Sequence, residues 1–308
     1  MVTTEQFIDK NPDYSQNLVE RLAFIDIRLN YLGEISRNDI MAEFKIAQAA
    51  ASKDLNEYRK LQGDRVKKDF QSKKTVIEPT LFQPLFKIKV YDALDMLVNG
   101  FNRNRLWKSK MALPIECVEI IENDELAESQ VVGITRALHN KKAVLCEYQS
   151  SHSGDNAERL LFPNILFVNK EEWYFRAYQR NPDQSKSGFK NFKFSRVLVS
   201  QYKPNEQSMP TEQLENDDDW QTKIPVQIQV NDKLDSNIQD AIRKEFQLES
   251  DTHTLFTRAA LFAFIRTNWR IKTEMEIEQG KFAYFKLQNL ELYRNIPSLA
   301  ELLDLNEN

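Results

Sequence analysis

Cysteine is nearly absent. Of 308 residues only Cys117 and Cys146 are cysteine, far apart and each inside an apolar run. A disulfide framework or zinc cluster needs several closely spaced cysteines, so these two read as buried thiols. Glycine is also scarce, with seven in the chain, and none forms a Gly-rich phosphate loop. The three histidines, His139, His152 and His253, are scattered without metal-ligand spacing. Ser151-His152-Ser153 sets a base beside a hydroxyl, but adjacent loop residues rarely face each other and no nucleophile elbow surrounds them. Neither an enzyme nor a cofactor or metal is implied. No apolar run approaches a membrane span. The segment Met1-Val2-Thr3-Thr4-Glu5 lacks the basic start and apolar core of a signal peptide. The expected location is the cytoplasm, away from membranes.

What is present is a globular mixture, 41% hydrophobic and 29% charged, with a net charge of −4. That balance argues against a simple nucleic-acid coat protein, but one basic domain can be offset elsewhere. Arg59, Lys60, Arg65, Lys67, Lys68, Lys73 and Lys74 lie close together, while Glu212, Glu215, Asp217, Asp218 and Asp219 form an acidic stretch much later.

Residues 1–14 show little pattern and read as a lead-in. Leu18, Leu22, Ile25, Leu29 and Leu32 recur at helical spacing, and Gly33 closes the helix. Ser36 caps a second helix with Ile40, Met41 and Phe44 inward. A short turn leads to a third helix over residues 48–61, with Ala51, Leu55 and Tyr58 on its apolar face. This is a helix-turn-helix. Residues 65–70 and 74–77 pair as a hairpin, the wing. The third helix presents Gln48, Ser52, Lys53, Asn56 and Arg59, residue types that read base edges in a major groove. Arg65, Lys67, Lys68 and Lys73 of the wing region are placed to neutralise phosphates. The plainer reading of the same residues is a solvated helix face.

Pro79 and Pro84 mark a break, and residues 88–101 follow as an amphipathic helix. Residues 107–122 read as a connector that includes a strand, and helix or strand over 124–138 leads on. At the centre, Trp173, Phe175 and Ala177 alternate with Tyr174, Arg176 and Tyr178, the pattern of a half-buried strand. Residues 203–219, with two prolines and many charges, read as a linker. Strands over 224–230 and 282–287 and helices over 234–246 and 255–269 make a C-terminal α+β unit.

Trp173-Tyr174-Phe175 resembles the Trp-Tyr-Leu signature of the WYL domain. The surrounding order resembles it too: Glu147-Tyr148-Gln149-Ser150, Arg159-Leu160-Leu161-Phe162-Pro163, and Phe192-Lys193-Phe194-Ser195-Arg196-Val197. The likeness spans residues 130–202, and its flanks resemble the winged-helix repressors found beside bacterial phage-defence islands of BREX and CBASS type. That resemblance implies a multidomain α+β protein. Its parts are a winged helix-turn-helix over 1–80, a helical connector over 81–128, a WYL domain built on a small antiparallel sheet (an Sm-like barrel) over 129–203, a linker over 204–221 and an α+β extension over 222–308. It maps the family's recurrent Ser, Arg, Tyr and Arg onto Ser150, Arg159, Tyr178 and Arg196. Arg176 shares Tyr178's side of the strand. Asn164 stands where many relatives carry His, so it bonds by hydrogen without carrying a proton charge. In the family the third helix begins with a Ser or Thr cap, and here that place holds Ala47, a poor cap. The expectations that follow are a homodimeric repressor of a phage-defence operon, acting on an inverted-repeat duplex operator. A nucleotide or oligonucleotide effector would act at the WYL face, where Ser150, Arg159, Asn164, Arg176, Tyr178 and Arg196 are expected to converge. Alternatives are an activator of a DNA-damage response and an RNA- or single-strand-binding module.

Overall fold

A computed structural model describes residues 1–107, 126–150 and 156–305. The connector expected over 107–122 and the Ser151-His152-Ser153 triplet lie almost wholly outside these residues, as does Cys117. The chain divides into two compact units, Met1–Ser208 and Met209–Asn308.

The first unit opens with a helix where the sequence shows little pattern. α1 spans Thr4–Lys10, started by a capping box in which Thr3 and Gln6 satisfy each other's backbone N–H groups. α2 spans Gln16–Leu32, capped by Ser15 and closed by Gly33 at φ 85°, a left-handed position that glycine occupies without strain. The two-residue strand β1 (Glu34–Ile35) leads to α3 (Arg37–Phe44), capped by Ser36 with Asp39 reciprocating. α4 (Gln48–Gln62) starts at Ala47, which supplies no side-chain cap, as its methyl dictates. β2 (Val66–Lys68) and β3 (Thr75–Ile77) form the wing, and β3 lies between β1 and β2.

Two buried carboxylates fix α4 on α2. Arg21 forks onto Asp54 at 2.7 and 3.2 Å. Asp26, fully enclosed, accepts from the Tyr58 hydroxyl and from the backbone N–H groups of Leu85 (2.8 Å) and Phe86 (3.1 Å). Burial drives the Asp26 carboxyl up to about 6, against the opposing pull of those hydrogen bonds.

α5 (Val90–Asn99) falls inside the helix expected over 88–101, and α6 (Glu128–Asn140) settles the ambiguous stretch before the central sheet as helix. Five antiparallel strands follow: β4 (Lys142–Gln149), β5 (Asn156–Asn169), β6 (Glu172–Arg180), β7 (Gly188–Lys193) and β8 (Val197–Gln207), in the order β7-β6-β5-β4-β8. Trp173, Phe175 and Ala177 are buried together with Val144, Cys146 and Leu161, as alternation predicts. Between Pro163 and Ile165 the β5–β6 register slips, leaving Asn164 as a bulge beside a proline that has no N–H to give the ladder.

α6 is the joint of this unit. Gly133 lies so close to β8 that a Cβ there would stand 2.8 Å from the Ser200 carbonyl oxygen. Gln130 Nε2 donates to the Val197 carbonyl at 2.6 Å, and Ser200 Oγ donates to the Ser129 carbonyl at 2.9 Å. On its other side α6 reaches the C-terminus of α2, where the last carbonyls have no partner within the helix. Arg136 Nε donates to Asn30 O at 2.8 Å, Thr135 Oγ1 to Tyr31 O at 2.7 Å, and Asn140 Nδ2 to Leu32 O at 3.4 Å.

The segment read as a linker is structured. β8 continues to Gln207, two 3-10 turns follow, and α7 (Asp218–Gln221) is capped by Asp217. The second unit is built on a four-stranded sheet ordered β10-β9-β12-β11, from β9 (Lys223–Val230), β10 (Thr252–Arg258), β11 (Ile271–Lys272) and β12 (Phe285–Leu287). α8 (Ser236–Glu245), α9 (Phe262–Asn268), α10 (Glu274–Glu278), α11 (Leu290–Arg294) and α12 (Pro297–Leu302) complete it. The helix expected over 255–269 is corrected: its first part is β10, paired antiparallel to β9 throughout. The apolar spacing of Leu255, Ala259 and Phe262 fits a helix, but Thr252, Thr254 and Thr257 are β-branched and pair along β9. The strand expected from Phe282 is shorter, starting at Phe285.

Candidate nucleic-acid interface and effector face

The turn between α3 and α4 sets α4 beside the wing. Between them lies a groove of about 410 Å³ lined by Ser52, Asn56 and Arg59 from α4, Lys68, Phe70 and Lys73 from the wing, and Arg37 from the start of α3. Arg59 bonds the Asn56 amide oxygen and holds its Nε on the Leu55 carbonyl at 3.2 Å, which keeps both side chains along one stripe. Gln48 and Lys53 are exposed on the same helix.

The wing residues divide. Lys68 opens onto the groove, with its ammonium 5.4 Å from the Phe70 ring centre. Lys67, pointing to the other side of the same strand, is engaged by Glu78 at 2.9 Å. Arg65 lies in a different cleft with Lys60 and Gln83, so the structure does not bring it to the helix–wing groove. Lys74 pairs with Glu34, which also accepts from His139 at 3.0 Å. Burial alone would raise the Glu34 carboxyl, but hydrogen bonds from Lys74 and His139 outweigh it and hold it below its ordinary value. Arg37 and Phe70 were missed in the sequence. Phe70 is 82% exposed at the wing tip, and only the tertiary arrangement distinguishes it from a core aromatic.

The six residues expected to converge on the central sheet divide between its two faces. Directly paired residues in a ladder share a face. Arg159 pairs with Cys146, on the face of Tyr148, Ala177 and Phe192 that packs towards α6. Its guanidinium lies 5.1 Å from the Tyr148 ring centre. Lys190, paired with Ala177, lies on that face too. Burial, then the nearby Arg159 charge, hold the Lys190 ammonium below its ordinary value. Lys190 Nζ donates to Gln179 Oε1 at 3.3 Å and to the Lys186 carbonyl at 3.2 Å, and Lys190 was missed because its strand partner is not legible in sequence.

Arg176 and Tyr178 occupy the opposite face. Arg176 is only 3% exposed, donating to Asn191 Oδ1 at 3.1 Å, with the Phe189 ring 5.9 Å away. Tyr178 meets the same ring edge-on at 5.1 Å. Asn164, in the bulge, donates to the Phe162 carbonyl at 2.9 Å. Arg196 is exposed in the 3-10 turn before Val197, which pairs with Tyr148, and Ser150 lies one residue beyond β4 at that same end. The expected single surface of Arg159, Arg176 and Arg196 is therefore corrected by register: Arg176 belongs to the other side.

Among the described residues no group of three or more His, Cys, Asp or Glu is placed to hold a metal. Among the described residues no helix is long and apolar enough to cross a membrane.

Fold and surfaces together define a winged-helix protein carrying a WYL domain. Residues 17–99 match the family described as the BrxR transcriptional regulator winged helix-turn-helix domain, and residues 131–201 match the WYL domain. The chain is homologous to proteins named DNA-binding transcriptional repressor CapW. That of Escherichia coli (strain KTE188) is 27% identical over 255 residues, covering 80% of each chain. Those of Stenotrophomonas maltophilia and Pseudomonas aeruginosa are 25% and 22% identical, covering 79% and 90% of this chain and 80% and 90% of their own. These relatives are regulators rather than enzymes. A solved structure of proteasome accessory factor B/C of Arthrobacter aurescens is 15% identical with a TM-score of 0.26, covering 96% of this chain. The chain spans about half, 49%, of that one.

Proposed function

We propose that this protein is a sequence-specific DNA-binding transcriptional repressor whose operator affinity is set by an anionic effector at the WYL domain. The observation that carries the reading is the groove in which Ser52, Asn56 and Arg59 of α4 face Lys68 and Lys73 of the wing. Asn and Arg at such a helix surface suit adenine and guanine edges, and flanking lysines suit phosphate. Homology to proteins named as DNA-binding repressors supports the same conclusion.

Gln48 and Lys53, exposed on α4, extend the surface as outer contacts, and Lys67, held by Glu78 on the other side of its strand, contributes less. The protein acts as a homodimer on an inverted repeat, each α4 entering one of two successive major grooves. Its target is a phage-defence operon, and it acts in the cytoplasm. The effector is a nucleotide or oligonucleotide whose phosphate engages Arg159, Lys190 and Arg196, with Ser150 at the same end of the sheet. Arginine's planar fork suits phosphate. Asn164, Arg176 and Tyr178 frame the sheet from the bulge and the opposite face.

The test is operator binding by wild type and Arg196→Ala while short oligonucleotides and nucleotides are titrated in. Wild-type operator binding with a lost effector response is the expected result. An unchanged response, or parallel loss of folding and operator binding, removes the effector role from Arg196.

A further inference from the structure

A second cleft, of about 620 Å³, lies within the first unit where α2, the chain around Pro79 to Pro84, α6 and β8 meet. That volume is within the range of small-molecule sites. It is distinct from both surfaces above and shares no lining residue with the helix–wing groove.

Its chemistry is polarised. At one end is Arg136, whose Nε is committed to the Asn30 carbonyl at 2.8 Å. No carboxylate among the described residues pairs with this guanidinium, and its two Nη groups have no hydrogen-bond acceptor there. Burial holds the guanidinium down to about 10, a sign of a cation held among poorly solvating neighbours. The walls are Phe82, Pro79, Pro84 and Tyr202, flat or rigid apolar surfaces. Glu128 also lines the cleft, eight residues earlier on α6 and so roughly 12 Å along the axis at about 1.5 Å per residue, and its charge acts on the Arg136 guanidinium.

We propose that this cleft binds a small organic anion with a ring: its carboxylate or phosphate on the Nη groups of Arg136, its ring between Phe82 and Tyr202, and a hydrogen-bond donor towards Glu128. Purine mononucleotides and aminated aromatic acids share this layout. Glu128 disfavours a second negative charge at its end, so the ligand carries its anion at one end only. The bound ligand bridges the chain around Phe82 to α6 and β8, the elements through which the WYL sheet meets α2. Occupancy therefore bears on the same joint that an effector at the sheet would move.

Calorimetric titration of the full chain tests this with three probes: AMP, 4-aminobenzoate and inorganic phosphate, in the absence of DNA. 4-Aminobenzoate should saturate at one site per chain, with phosphate at least about tenfold weaker, and AMP, which the effector face also takes, should keep a binding component that does not depend on Arg196. Gln83→Trp, which fills the cleft while its backbone carbonyl still accepts from Gln62 (2.9 Å), should weaken binding at least about tenfold with an unchanged melting curve. Arg136→Lys, which keeps the charge and loses the fork, should do likewise, and decides the matter if Gln83→Trp does not fold. Arg196→Ala should leave the 4-aminobenzoate titration unaltered. The proposal is overturned if neither ring-bearing probe saturates at millimolar concentration. It is also overturned if binding survives both cleft variants, or if Arg196→Ala abolishes it. Because DNA is absent, failure here is distinguishable from failure of the operator assignment.

Discussion

The hydroxyl of Thr135 on α6 donates to the carbonyl of Tyr31 on α2 at 2.7 Å, joining the helix under the WYL sheet to the first long helix of the DNA-binding head. Arg136 and Asn140 serve the neighbouring carbonyls of Asn30 and Leu32, so three orphan acceptors of one helix end are satisfied by a single face of another. Thr135→Val keeps the shape and removes the donor, leaving a buried carbonyl unpaired. The expected cost is about 1–3 kcal/mol, seen as a lower midpoint in denaturant with an unchanged slope. An unaltered midpoint would show that this contact does not hold the joint.

Gly133 sets the other side of α6. A methyl there would meet the Ser200 carbonyl carbon and oxygen at 2.9 and 2.8 Å, backbone atoms that cannot rotate away. Gly133→Ala should push α6 off β8 and cost about 1–3 kcal/mol by overpacking, despite alanine's better helix propensity. Chemical denaturation reads this directly, and a stabilised variant would contradict the close approach.

Asp26 predicts a pH dependence of defined sign. Its carboxyl rises from 3.8 to about 6 on folding, so between those values the folded state holds the proton more tightly than the unfolded chain. Stability from this group is full below about 4 and is lost as pH rises through about 6, by up to about 3 kcal/mol. Asp26→Asn removes that titration. The difference in unfolding free energy between parent and variant should therefore move in the parent's favour as pH falls from about 6 to 4. A constant difference would mean that the carboxylate keeps its ordinary value.

The wing lysines should not behave alike. Lys68 and Lys73 line the groove, whereas Lys67 is held by Glu78 at 2.9 Å. Lys68→Ala and Lys73→Ala should each weaken duplex binding on all sequences and reduce the salt slope by about 1. Lys67→Ala should change it less. Asn56→Ala should instead relax base preference, at about 1–3 kcal/mol per lost contact. Fluorescence anisotropy on specific and scrambled duplexes across salt concentrations separates these effects. Equal slopes for all three lysine variants would contradict the placement of the wing.

Local patterns were legible where the causes are local. The spacing of Leu22, Ile25 and Leu29, the Gly33 stop and the Ser36 cap specify α2 and α3, because each signal acts within a turn or two of backbone. The alternation in β6 likewise shows that Trp173, Phe175 and Ala177 are buried, though not that Arg176 is buried as well. α1 was missed because its seven residues bury one apolar side chain, Phe7, too few to show a helical stripe, although the Thr3–Gln6 capping box was there to be read. The stretch 255–258 was misread because its apolar spacing suits a helix while its long-range partner is β9.

By itself the sequence determined the helix-turn-helix, the basic wing, the WYL strand and its resemblance to regulators of this kind, since these depend on residues close together in the chain. Only the tertiary structure decided which side chains meet. One extra residue at Asn164 resets the pairing of β5 with β6, and pairing register, which no single strand encodes, places Arg159 with Lys190 and puts Arg176 on the far face. Contacts such as Asp26 with Phe86 and Thr135 with Tyr31 join segments 60 and 104 residues apart. They form only when the packed helices bring a buried donor and acceptor together, where neither has water to turn to.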